Sequence, residues 1–297
     1  MARDSIFDVA SLTKVVATAT ACGICVDRGL LDPDAPLKKY LPDHKGKGVE
    51  KISLRRLASH TSGFAANPRL GALGKGAVMF ERMLVESPTW EVNTHYEYAC
   101  RNIILLSTIV ERVTGRSFGE FCTNEIFKPL GMVDSVFNRV EASSRVVATH
   151  VELGVSHNVD TRASGCAIGN AGLFTTAPDL ARVCQMMLNG GELDGHRVLS
   201  EKVVEDFTKT NQLERFYAHG FIWKTGLDNP NRPTLLSPRA FGHGGYTGQS
   251  LWMDPKKRVF SIILSNRTHP ADIRGSKDTQ YGALGRIANL ALQEFGF

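Results

Sequence analysis

Chemistry first becomes possible at Ser11 and Lys14, three residues apart in Phe7-Asp8-Val9-Ala10-Ser11-Leu12-Thr13-Lys14. Positions i and i+3 share a helix face one turn apart, so the lysine amine reaches the serine hydroxyl. A serine hydroxyl becomes a nucleophile when a neighbouring base takes its proton. Lysine titrates ordinarily near ~10.4, and burial lowers that value by up to ~3–5 pH units. Residues 15–26, which follow, carry no charge, and a helix apolar on every face lies inside a protein. The unpaired N–H groups and positive dipole end of its first turn suit a developing oxyanion. A plainer reading stands beside this one: both residues are common, and a lysine near a helix start also reaches water by extending its stem.

The elements that must hold this pair follow from periodicity. The first helix stops at Arg28-Gly29, glycine accepting the left-handed geometry of a helix end. Residues 52–58 read as a short helix capped by Ser53, closed by the polar turn Ser59-His60-Thr61-Ser62-Gly63. In that turn His60 reads as structural. Residues 67–76 read as loop and 78–85 as helix. Residues 102–113 form a second buried helix closing at Gly115, and 117–127 an amphipathic third. Thr176-Ala177-Pro178-Asp179 is a well-formed helix start, with Thr at the cap and Pro in the first turn. Beyond about residue 195 the pattern turns to short strands, 216–224, 250–254 and 259–265, with a hairpin tip at 254–258. A last helix covers 281–295. The expected fold class is α+β in one domain, with a helical lobe over about 11–190 and an antiparallel sheet lobe over about 195–297, backed by helices.

Composition narrows the function classes. Of 297 residues, 42% are hydrophobic and 22% charged, ordinary for a globular chain. The net charge of +5 is spread without a basic run, which gives no indication of nucleic acid. No stretch of eighteen apolar residues lacks a charge, so no membrane span is expected. Six cysteines are scattered; Cys22 and Cys25 fall inside the buried helix, where a free thiol acts as a small hydrophobe. Neither they nor the nine histidines show metal-ligand spacing, so neither metal nor cofactor is expected.

Three segments in order, residues 7–14, His60-Thr61-Ser62-Gly63 and Phe241-Gly242-His243-Gly244-Gly245-Tyr246-Thr247-Gly248, resemble the serine β-lactamase and penicillin-binding protein superfamily. The pattern is most like its branch of AmpC-type β-lactamases, D-alanyl-D-alanine peptidases and related esterases, and Gly169-Asn170-Ala171-Gly172-Leu173-Phe174-Thr175-Thr176 is typical of that branch too. The resemblance runs from about residue 4 to 269. It implies a β-lactamase/transpeptidase-like fold, with Ser11 acylated and Lys14 its activator. His243-Gly244-Gly245 matches the family's Lys-Thr-Gly or His-x-Gly strand, where a cationic or donor side chain meets a substrate carboxylate and the glycines let substrate pair with the backbone. The N–H of Tyr246 is expected to join that of Ser11 as oxyanion hole.

The chain departs from the family pattern twice. Tyr-x-Asn, or Tyr-Ser-Asp, is matched by Tyr98-Ala99-Cys100, with Tyr96 the alternative register. Tyr98 is the expected proton shuttle, while Cys100 puts a weak donor and acceptor where substrate is normally gripped. Only ten residues precede Ser11, so the amino-terminal strands of the sheet are expected to be missing or short, leaving an edge open to a second copy. The compartment is left open: cytoplasmic if Met1 is the native start, periplasmic or secreted if the amino end was trimmed. The expected activity is hydrolysis of β-lactams, small esters or D-alanyl amides through an acyl-enzyme. The competing expectation is an impaired penicillin-binding protein that traps ligand without turnover.

Overall fold

The computed structural model describes residues 1–150, 152–210, 219–269 and 277–297. The chain enters as β1 (Phe7–Asp8), tightens into a 3-10 turn over Ala10–Leu12, and continues as a helix wound wide over Lys14–Ala19 and regular over Thr20–Asp27. The sequence suggests one helix opening at Ser11; the structure divides it, with Ser11 in the tight turn and Lys14 at the head of the wide one. The cause lies one residue earlier. Ala10 takes φ +49, a left-handed conformation that costs a non-glycine residue about 1–3 kcal/mol. The carboxylate of buried Asp8 holds it there, accepting the Ala10 N–H at 3.0 Å.

The helix is the core. Leu12, Lys14, Val15, Val16 and Ala17 have no exposed surface. They pack against a second helix, Cys100–Thr114, whose Ile103, Ile104 and Leu106 are equally buried. Residues Ala10–Asp27 are long and apolar enough to cross a membrane by composition, with a mean hydropathy of 1.2, yet 83% of the stretch is buried in the protein. Burial inside a fold and burial in lipid ask for the same side chains, and here the fold supplies the cover.

The expected capping chemistry is in place. Ser53, Ser117 and Thr176 accept the N–H groups of Arg56, Glu120 and Asp179 and so start Leu54–Ala58, Phe118–Cys122 and Ala177–Leu188. The third expected helix continues as a wide turn over Thr123–Phe127. Gly115 ends the second helix at φ +67. Residues 67–76 are not all loop: Leu70–Leu73 is a short helix with Leu70 buried.

β2 (Val136–Phe137) and β3 (Leu173–Thr175) make a small antiparallel sheet with β1, in the order β1-β3-β2. β4 (Glu192–Leu193) and β5 (His196–Arg197) form a hairpin. The main sheet is β6 (Phe241–Gly245), β7 (Gln249–Asp254) and β8 (Val259–Ile263), antiparallel throughout. Asp254 folds the 254–258 tip by accepting the N–H groups of Lys256 and Lys257. β1 pairs with β3 and not with the main sheet, so among the described residues β8 is an edge, with the terminal helix Lys277–Glu294 against it. Of the strand expected at 216–224, residues 216–218 lie outside the described residues; His219 and Lys224 bridge one another, and Lys224 pairs with Gly242 of β6.

The two buried helices meet the 169–170 segment at Gly169. A Cβ there would come within 2.4 Å of Thr18 Oγ1 and 2.8 Å of Ser107 Cβ. Thr18 donates to the Gly169 carbonyl and Ser107 accepts its N–H, clamping the segment between the two buried helices. Gly169→Ala is therefore expected to destabilise the fold by about 1–3 kcal/mol through overpacking, measured by urea denaturation, and to push the adjoining Asn170 carbonyl off Lys14.

Candidate active site

Lys14 is wholly buried, and its Nζ lies 3.0 Å from Ser11 Oγ and 2.6 Å from the carbonyl of Asn170. Burial pushes the amine below its ordinary value; Arg69 pushes the same way, while Cys100 and Asp160 partly oppose it. Ser11 is part-exposed on the wall of a cavity of about 580 Å³. Thr13 locks the turn from below, donating to the Ala10 carbonyl at 2.6 Å and accepting the Leu173 N–H at 3.1 Å.

The phenol ring of Tyr98 lies 5.2 Å from the Lys14 amine. Tyr96 also lines the cavity but packs on His219, centroids 5.5 Å apart, which places Tyr98 in the register beside Lys14. Tyr98 is held by His60, centroids 4.5 Å apart. His60 sits at φ +61 with Nδ1 3.4 Å from Asn102 Nδ2, and Asn102 takes the Ser62 hydroxyl at 2.8 Å. Burial, helped by His219, Lys14 and Lys224, drives the His60 imidazole well below its usual range. It is a neutral wedge behind the tyrosine.

Cys100 opens the second helix, its thiol 3.7 Å from an Arg69 guanidinium nitrogen and near enough to act on the Lys14 amine. Arg69 is engaged in turn by buried Asp160 at 3.5 Å.

His243, Gly244 and Tyr246 all line the cavity, and Gly245 closes the strand beside them. His243 is buried, and burial, together with the Lys224 and Lys14 charges, drives it well below its usual range. Its Nδ1 lies 2.8 Å from the Gly244 carbonyl; a carbonyl only accepts, so the neutral ring carries its proton on Nδ1. Nε2 is then left as a buried, unpartnered acceptor, unsuited to a carboxylate. The glycines also answer to this chain's own atoms. A Cβ on Gly244 would meet Asn231 Nδ2 at 2.2 Å, and one on Gly245 the Val9 carbonyl at 2.7 Å.

The turn is tied to this strand through Asp8. Its carboxylate accepts from Ala10 N–H, Ser156 Oγ at 3.1 Å, and His157 through both N–H at 2.9 Å and Nδ1 at 2.8 Å. Its carbonyl takes the Thr247 hydroxyl at 2.9 Å. His157 then stacks on Tyr246, interplanar angle 11°, with Arg267 4.3 Å from the Tyr246 ring.

Lys224 and Asn231 also line the cavity, and neither was flagged by the motif spacing. Lys224 lies 5.7 Å from the Tyr98 ring. Burial and the Lys14 charge push its amine down to about 8. A signal was present, since residues 224–226 read Lys-Thr-Gly. Among the described residues no cluster of His, Cys, Asp and Glu is arranged to hold a metal ion.

A serine–lysine turn under an antiparallel sheet, with helices on its other side, places the protein among the β-lactamase and penicillin-binding-protein folds. More narrowly, the chain belongs to the Beta-lactamase family, whose model matches residues 1–285. A relative from Escherichia coli K12 bearing the name "Putative D-alanyl-D-alanine carboxypeptidase" is 29% identical over 309 residues, covering 89% of this chain and 70% of its own. The fold is shared with a penicillin-binding protein homologue from Caulobacter crescentus (TM-score 0.75, 19% identity, 97% of this chain and 85% of that one). It is shared also with a family VIII carboxylesterase (TM-score 0.72, 20% identity, 96% and 84%).

Asp8 sets a pH dependence. Burial alone raises its carboxyl, but the His157 charge and the bonds from His157 and Ala10 outweigh it, so the net direction is down. Its folded value lies below the unfolded one near ~3.9. The stabilisation is thus complete above that pH and fades as pH falls through the folded value. Thermal melts between pH 7 and pH 3 are expected to show a steeper acid loss for the native protein than for Asp8→Asn, which starts lower and varies less.

Proposed function

We propose that the protein is a serine hydrolase that forms an acyl-enzyme at Ser11. The observation that carries this is the buried Lys14 amine 3.0 Å from Ser11 Oγ. Burial lowers its proton affinity, and in its neutral form the amine donates one N–H to the Asn170 carbonyl and aims its lone pair at the serine hydroxyl. Ser11 Oγ then attacks the acyl carbon as its proton passes to Lys14. Tyr98, against the same amine, relays that proton to the leaving group. The N–H groups of Ser11 and Tyr246 receive the oxyanion, a contribution of about 2.7–4 kcal/mol per donor in comparable sites. Asp8, through Ala10 on one side and His157 on the other, sets the spacing of those two groups.

The substrate class is a β-lactam, a small ester or a D-alanyl amide, the last in keeping with the name carried by the relatives. Cys100 tilts the balance towards esters and β-lactams. A carboxamide at that place would offer a substrate amide both a donor and an acceptor; the thiol offers weak versions of each and is turned to Arg69.

Intact-protein mass spectrometry after exposure to a fluorescent penicillin tests the reading. A transient adduct is expected in the native protein and none in Ser11→Ala, which should also lose p-nitrophenyl acetate hydrolysis by at least ~10³-fold. A permanent adduct identifies a trap; retained turnover in Ser11→Ala overturns the assignment. Cys100→Asn is expected to raise the β-lactam acylation rate by about tenfold, the worth of one hydrogen bond regained, read by stopped-flow; an unchanged rate removes the thiol as the limiting departure.

A further inference from the structure

Two basic side chains, Arg69 and Lys224, line the cavity and a third, Lys14, is buried beneath Ser11; their surroundings separate them. Lys14 spends its amine on Ser11 and Asn170. Arg69 is answered by the Asp160 carboxylate and the Cys100 thiol. Lys224 has neither kind of answer: the groups that act on its charge are burial and the repulsion of Lys14, with no acid among them. Nor does an acid stand near by on the wall, for among the described residues the cavity lining contains neither Asp nor Glu. An ammonium held in a low-dielectric cleft beside a second amine is costly unless an anion joins it.

The backbone makes this position firm. Lys224 exchanges two main-chain hydrogen bonds with Gly242 of β6, each 2.9 Å, so its stem leaves from the strand next to His243. The imidazole at the motif position is neutral, its free ring nitrogen a buried acceptor. The amine from the neighbouring segment occupies the cation's place instead. Asn231, buried and with Oδ1 unpartnered, shares the same wall.

We propose that Lys224 is the anion-docking residue of this cavity and that the protein selects acyl donors bearing a carboxylate. This rests on the acyl-enzyme reading above. A carboxylate meeting the Lys224 ammonium gains a charge-assisted hydrogen bond, so its acyl carbon is held over Ser11 by a contact that a neutral ester lacks.

The test compares two esters of similar length, mono-p-nitrophenyl glutarate and p-nitrophenyl butyrate. Lys224→Met is expected to lower the ratio of their kcat/KM values, charged over neutral, by about 10–100-fold, chiefly through KM for the charged ester; Lys224→Arg is expected to restore most of it. In the native protein KM for the charged ester should rise as pH passes through about 8, because the amine loses its proton there, and stay flat for the neutral ester. Lys14 from the leading helix, Tyr98, His60, His243 from β6 and His219 from the same segment are near or coupled to this group, so the Arg variant, charged across the range, isolates its titration. Equal losses on both esters, or an unchanged ratio, overturn the proposal. Binding of the charged ester to Ser11→Ala, measured by calorimetry with and without Lys224→Met, reads docking apart from turnover. If the native protein hydrolyses neither ester but this binding depends on Lys224, the hydrolase reading fails and the docking residue stands. Binding indifferent to Lys224 overturns it.

Discussion

The buried carboxylate of Asp8 is the constraint on which this site depends. It accepts bonds from the residue before the serine and from the 156–157 loop, while the main-chain carbonyl of Asp8 takes the Thr247 hydroxyl just past β6. Those partners lie up to 239 positions from Asp8 in sequence. A carboxylate removed from water costs several kcal/mol unless its lone pairs are filled, and here each oxygen is occupied. That occupancy holds Ala10 in a left-handed turn and puts Ser11 at the cavity wall. Breaking such a buried pair by removing one partner is worth about 3–5 kcal/mol, comparable with much of the stability of an ordinary domain.

Much of this was legible in sequence because it is local. The Ser11–Lys14 spacing, the caps at Ser53, Ser117 and Thr176, and the hairpin tip at Asp254 depend on neighbours a few residues away. The two buried helices announced themselves by uninterrupted apolar runs. What escaped is set by distance. The split of the first helix depends on Asp8 and its partners from 156 to 157, and no periodicity records a left-handed alanine. The helix at Leu70–Leu73 is held by Gly71 N–H to Asp160 Oδ1, a contact across 89 positions. Lys224 belongs to the cavity only because its segment pairs with β6, and the tripeptide it begins has no meaning until that pairing is known.

The distribution of charge in the cleft follows from depth. His60 and His243 are too deeply buried to keep a proton beside two amines, so they act as shape and as acceptors. Lysine has more proton affinity to lose, and Lys14 and Lys224 give up part of it without becoming inert. The cleft is therefore basic without being strongly cationic.

The bond from Lys14 to the carbonyl of Asn170 joins groups 156 positions apart. Until that carbonyl arrives, the amine has no reason to shed its hydration and remains an ordinary protonated lysine. The nascent or partly folded chain therefore carries a serine as unreactive as any other. The lowered proton affinity of Lys14 is thus a property of the completed fold, assembled only when the 169–170 segment closes over the leading helix.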